Sequence, residues 1–379
     1  MEGNDRRKVL QTKARNGYLD FVKGIATFLV IWGHALADMD TGHVFSEIVA
    51  GQIIYSFHMP LFFIIGGYLL YFSVQRHSTR DLLVSRLKSL IWPLAVWGLG
   101  IRLPLNAIRH VITGSPFRYT TPISWVNAFT GPWFIWTFFC LSIYIILAAK
   151  APSRKTKIAA VLFGGVILML VPGRGTNILH LPDMLLGYWI GRYDILHKVK
   201  ERFDSSQKKA GGLIICLAIY AAAFGTYMGT GSYTNEIFSL KNSIGGTIGR
   251  LTLHYVYSFA GVLLVMVLLL WIYTNVKDGR FSRLMRFTGT ISLQSYLIQG
   301  YLMESLIPKC MGRIIDEKGY NPIYPNQAVY TLATFFASAA VMLVIQLFMY
   351  AVSGSRIELI LFGRKTKRHR GRCSALNYS

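Results

Sequence analysis

Residues Tyr18–Leu36 read YLDFVKGIATFLVIWGHAL. A run of this length with few charges is long enough to cross a bilayer as a helix, so each ionisable side chain inside it needs a reason. Lys23 and His34 stand out. They are eleven residues apart, a separation of about 1100° of rotation and roughly 16 Å of rise, which leaves them about 20° out of phase on one wall of a bundle. Taken singly, Lys23 reads equally well as a snorkelling lysine paired with Asp20, and His34 as an interfacial histidine. Their shared phase tilts the pair toward function. A second apolar run, SFHMPLFFIIGGYLL over Ser56–Leu70, adds His58, so three polar groups are expected to converge on neighbouring helices.

The whole chain agrees with a membrane reading. Of 379 residues, 53% are hydrophobic and 15% charged, against about 25% charged in soluble domains, and the mean hydropathy is +0.41. This excludes a soluble enzyme. It predicts an all-α, polytopic transmembrane helix bundle of about ten spans, near 18–37, 50–72, 86–106, 128–149, 157–172, 178–196, 210–229, 251–274, 288–307 and 328–352. A net charge of +23 would suit nucleic acid if it were evenly spread. With the N-terminus inside, however, thirty of the forty Lys and Arg residues fall on the cytoplasmic side, nine outside, and Lys23 within the first span. The charge is therefore read as topology and contact with membrane lipids, with no nucleic-acid partner and both termini cytoplasmic. Residues 1–17 and 353–379 are expected to be cytoplasmic tails around one membrane domain, 18–352. The basic leader runs into a full-length span without a small-residue cleavage site, so no signal peptide is expected. Cys140, Cys216, Cys310 and Cys373 show neither CxxC nor metal-ligand spacing.

LDFVKGIATFLVIWGH (Leu19–His34) followed by SFHMPLFFIIGGYLL resembles the opening of the acyltransferase family 3 integral-membrane acyltransferases, especially those similar to polysaccharide O-acetyltransferases. The basic residue, ten positions and a histidine that mark the family are matched by Lys23 and His34. Weaker similarities follow in RLKSLIWP (Arg86–Pro93), GPWFIWTFF (Gly131–Phe139) and LPDMLLGYWIGR (Leu181–Arg192). Two departures stand beside them. Relatives often carry two arginines two positions apart after the second helix, where this chain has Arg86 and Lys88, and Gln299 stands in TGTISLQSYLIQGYL where relatives often have histidine.

The resemblance implies an O-acyltransferase whose donor is acyl-CoA, acetyl-CoA in the commonest case, with no permanently bound cofactor. The implied acceptor is a cell-surface polysaccharide or a lipid-linked sugar. Moving an acyl group from a thioester to a hydroxyl needs a base, and imidazole has a suitable pKa. His34, near the outer end of its span, is the expected base. His58 is placed to orient His34, to stabilise the oxyanion, or to bond a backbone carbonyl. Lys23, Arg86 and Lys88 are the expected binders of the coenzyme A phosphates, although cations after the second span also suit anionic headgroups. A secondary transporter of a sugar or small acid would bury Lys and His too, but its paired repeats are not evident. A structural partner of a glycan assembly, without chemistry, is the third reading.

Other segments are less specific. The loop with Asp38, Asp40, His43 and Glu47 has no spacing of a known metal site, and no metal is assigned. Pro93 is expected to kink the third span. Gly131–Phe134 suits a cavity wall or an ordinary helix entry, and Asp183 an intramembrane carboxylate or an interfacial one. The outer segments 229–250 and 308–326 are rich in the groups that bind sugars, as connectors also are.

Overall fold

Lipid offers no partners to backbone N–H and C=O groups, so apolar runs of this length must satisfy their own as helices. In the computed structural model, which describes residues 16–38, 48–114, 116–117, 119–195, 206–229, 243–302 and 327–366, every regular element is helical. In chain order these are α1 (Gly17–Asp38), α2 (Val49–Arg76), α3 (Thr79–Thr113), α4 (Pro122–Thr130), α5 (Trp133–Lys150), α6 (Arg154–Leu170) and α7 (Arg174–Arg192). They continue with α8 (Ser206–Gly229), α9 (Ile244–Val276), α10 (Arg280–Thr290), α11 (Ser292–Tyr301), α12 (Gln327–Val352) and α13 (Arg356–Phe362). The expected N-terminal leader, the acidic loop with Asp40, His43 and Glu47, both long outer loops, Cys310 and Cys373 lie wholly or largely outside the described residues.

Seven described helices are long and apolar enough to cross a membrane: α1, α2, α3, α5, α8, α9 and α12. The expectation of about ten is thus met for seven. Over their described residues the other three stretches are helical but differ physically. Helix α6 has 17 residues, α7 carries His180, Pro182 and Asp183 in its middle, and the stretch expected at 288–307 is divided at Ile291 into α10 and α11.

Helix α1 is the hub, packed against α2, α9, α10, α11 and α12. Polar cross-links tie it down along its length. Tyr18 Oη donates to the Met266 carbonyl at 2.6 Å, Trp32 Nε1 to Thr334 at 3.3 Å, and Tyr330 Oη to the Leu36 carbonyl at 2.9 Å. In an apolar surround such bonds fix rotation about the helix axis, because an unmade one leaves a buried polar group unpaired. The rotation matters because Lys23 and His34 both depend on it.

Helix α2 is the most buried of the spans and lies closely along α7. Two glycines permit this approach. A Cβ at Gly67 would overlap the Met184 carbonyl, and one at Gly187 the Ile64 carbonyl. The reciprocal contact holds the middle of α7 against the middle of α2. By contrast α8 is mostly exposed, with Ile214, Ile215 and Leu217 outward, as a lipid-facing helix requires.

Helix α3 does not break at Pro93. It changes winding instead, with wide π turns over Leu87–Ile91 and Ala95–Ile101 on either side of Trp92–Leu94. Such wide turns are frequent at functional sites. Past the last span, α13 docks back onto α3 rather than trailing away as a tail. Residues 353–366, expected to belong to the C-terminal tail, are thus part of the folded body.

Candidate functional site

One face of α1 carries Lys23, Thr27 and Val30, spaced at single helical turns, and these line a cavity of about 220 Å³. Helix α2 contributes Met59, Phe62, Gly66 and Leu69 to the facing wall. Helix α3 supplies Arg86 and Ser89, α5 supplies Phe134 and Phe138, and α11 supplies Tyr296 and Gln299. Extending the α1 stripe by one turn beyond Val30 leads to His34. On α2 the lining continues from Phe62 to Met59, next in the chain to His58. Neither histidine lines the cavity, but each lies within about one helical turn of its last lining residue on its helix.

At its cationic end the cavity gathers Lys23, Arg86 and Arg364. Lys23 Nζ is 2.8 Å from Asp20 Oδ1, the pairing weighed as the structural alternative, and the same lysine also lines the cavity. Arg86 lies with its guanidinium carbon 5.9 Å from the centre of the Phe138 ring. Lys88 is exposed and is not among the lining residues. Gln299 is buried and lines the cavity, and its Oε1 has no hydrogen-bond partner among the described residues.

The histidine end is built from more helices than the sequence suggested. His34 is half-buried on α1, and close packing of Gly33 against Tyr55 brings α1 and α2 together at this level. His58 is buried, and its Nδ1 lies 2.7 Å from the Ile54 carbonyl. A carbonyl only accepts, so Nδ1 carries the proton and Nε2 of the neutral ring carries the lone pair. His34 and His180 both lie within electrostatic reach of His58.

The sequence offers no separate reason to single out His180, and Asp183 reads there as either an intramembrane or an interfacial carboxylate. The two form a buried pair on α7, Nδ1 to Oδ2 at 2.8 Å, with Asp183 fully buried. The imidazole is stacked on Phe63 at 4.4 Å and on Trp133 at 5.8 Å. Trp133 and Phe134 open α5 directly after Pro132 as a helix entry, and of the Gly131–Phe134 stretch Phe134 lines the cavity. A further pair, His254 Nδ1 and Tyr257 Oη at 2.8 Å, lies on α9, and His180 is within electrostatic reach of His254. Among the described residues no three His, Cys, Asp or Glu side chains are grouped as metal ligands would be. The signal for both missed pairs was present as an i, i+3 spacing, which puts two side chains on one helix face.

Fold and site together define a membrane-embedded helical protein, with a cation-lined cavity leading toward buried imidazoles. The chain belongs to acyltransferase family 3: the family model described as an acyltransferase domain matches residues 16–351. It is a membrane acyltransferase. No curated protein and no solved structure matches it.

Proposed function

We propose that this acyltransferase is a multi-pass O-acyltransferase, of the O-acetyl type, working between cytoplasmic acyl-CoA and a hydroxyl of an extracytoplasmic or lipid-linked cell-surface glycan. The single observation that supports this best is the cavity lined by Lys23 and Arg86 along α1 and α2, the two helices that carry His34 and His58 further toward their other ends. A phosphate-bearing head belongs with cations, and a neutral acyl end belongs near a base. The roughly 16 Å between Lys23 and His34 suits the extended arm that joins the two ends of such a donor.

In this reading His34 takes the proton from the acceptor hydroxyl as its oxygen attacks the thioester carbonyl. A C–O bond forms, the C–S bond breaks, and the proton passes on to the departing thiolate, which leaves as free coenzyme A. His58, with its Nδ1 committed to the Ile54 carbonyl, accepts rather than donates at Nε2. Its role is then to orient His34 by accepting that ring's N–H. Serving as an oxyanion donor would need a protonated ring. Lys23 and Arg86 hold the donor's phosphates, and exposed Lys88 adds only to the surrounding positive field.

Mass spectrometry of the cell-surface glycan from cells with and without the protein tests this. One added acetyl per repeat is expected, and an unchanged glycan would overturn the reading. The topology carries its own check. Reporters fused at Ser379 and within 230–241 should report opposite sides of the membrane, the C-terminal one cytoplasmic.

A further inference from the structure

Arg364 arrives in the cavity from the far end of the chain, beyond the last span, and its seating is elaborate for a residue of a basic tail. Its Nη2 donates to Gln294 Oε1 at 3.4 Å, and it lines the same cavity as Lys23 and Arg86, close enough to act electrostatically on Arg86. The segment that delivers it is stapled at both ends by one carboxylate. Glu358, fully buried, accepts from the Gly354 N–H at 2.7 Å before α13 and from the N–H and hydroxyl of Thr366 after it.

The same segment is bolted onto α3, the helix that carries Arg86. Trp92 Nε1 donates to the Ile360 carbonyl at 2.7 Å and Trp97 Nε1 to the Leu361 carbonyl at 3.0 Å. Phe362, fully buried, stacks on Trp97 at 5.6 Å. Gly363 then turns the chain with φ of +67°, against the Lys88 carbonyl where a Cβ would overlap. In the π turn, Trp92 N–H reaches back to the Leu87 carbonyl, so the next donor in that pattern would be Pro93, which has no N–H to give Lys88. The altered winding of α3 thereby leaves a place for Gly363, and Arg364 follows at once.

A cation serving only lipid headgroups snorkels on a flexible stem toward the interface. The backbone that delivers Arg364 is instead held by a buried carboxylate, two indoles and a glycine turn, and its side chain lies beside two other cations. Like charges in one cavity repel, and the nearby Asp20 is already paired with Lys23, so the arrangement favours an anionic occupant. At about 220 Å³ the cavity admits part of a large donor, such as its phosphate and arm, with the remainder outside.

We propose that Arg364 is a third phosphate-binding cation of the donor site, held in place by a strap of residues 354–366, and that it supplies the second arginine that Arg86 lacks nearby in sequence. This rests on the acyl-CoA reading above, and it names as ligand the phosphate of a phosphopantetheine-type thioester. The phosphate of an anionic lipid has the same chemistry, so the test separates the two.

Full-length protein is placed in nanodiscs of zwitterionic lipid, and in others containing phosphatidylglycerol, and coenzyme A binding is measured at two salt concentrations. Arg364→Ala should weaken binding roughly tenfold or more and flatten its salt dependence, and Arg364→Lys should recover part of the loss. Pantetheine, which lacks phosphate, should bind both variants as it binds the wild type. A readout that needs no variant is shielding. Coenzyme A should protect Arg364 of the wild type from an arginine-specific dicarbonyl, mapped by mass spectrometry. If the wild type binds coenzyme A but Arg364→Ala binds equally and Arg364 is not shielded, the proposal falls while the donor reading stands. If Arg364→Ala loses phosphatidylglycerol retention but not coenzyme A, the cation serves a headgroup and the proposal falls. Absence of any binding by the wild type would overturn both.

Discussion

The two ends of α1 solve different electrostatic problems. At the histidine level the buried polar groups occur in pairs, His58 with the Ile54 carbonyl, His180 with Asp183 and His254 with Tyr257. Around Lys23, itself paired with Asp20, two further cations, Arg86 and Arg364, line the same cavity. The first arrangement orients its rings without needing a ligand, and the Ile54 carbonyl, which only accepts, sets the proton of His58 on Nδ1. The second draws a negative group in. A transfer site wants its base prearranged and its charged substrate attracted, and the two ends divide that work.

Variants can break this division, and the largest effect is expected at the histidine end. His34→Ala should lower acyl transfer by at least roughly a hundredfold while leaving coenzyme A affinity unchanged, as judged by turnover and binding on the same preparation. Next comes the seam that holds α7 on α2. Gly187→Ala forces the Ile64 carbonyl away and should cost about 1–3 kcal/mol of stability, read as a lowered melting temperature in detergent. At the cationic end Arg86→Ala should raise the acyl-CoA KM by roughly tenfold with little change in kcat, and Arg86→Lys should restore part of it. If the cation serves only lipid, abundance should fall and the kinetics per folded molecule should not change. Lys88→Ala should alter KM by less than about twofold, because its side chain stands outside the cavity and acts only through a screened field.

What could be read from residues alone follows the same division. The Lys23 and His34 alignment was legible because helical phase is a property of one continuous segment. Bringing Arg86 to Lys23 needed the family resemblance, since no local rule joins α3 to α1. Arg364 was beyond either, because its approach depends on α13 folding back through Glu358, Trp92 and Trp97, contacts between segments far apart in the chain. His180 with Asp183 and His254 with Tyr257 were legible in principle as i, i+3 pairs, yet each residue alone looks like an ordinary interior polar group. The all-helical architecture was evident in the apolar runs. Of the ten expected spans, seven are long and apolar enough among the described residues; where the others stand, α7 keeps its polar centre buried against α2 and the stretch after Gly279 breaks at Ile291.

The central claim is that donor recognition and proton transfer sit at opposite ends of the α1 face. Equilibrium binding of labelled acetyl-CoA to purified wild type, His34→Ala and Arg86→Ala tests it most directly. The account predicts that His34→Ala binds as tightly as the wild type although it transfers nothing, while Arg86→Ala binds roughly tenfold more weakly. Loss of binding in His34→Ala with retention in Arg86→Ala would contradict it.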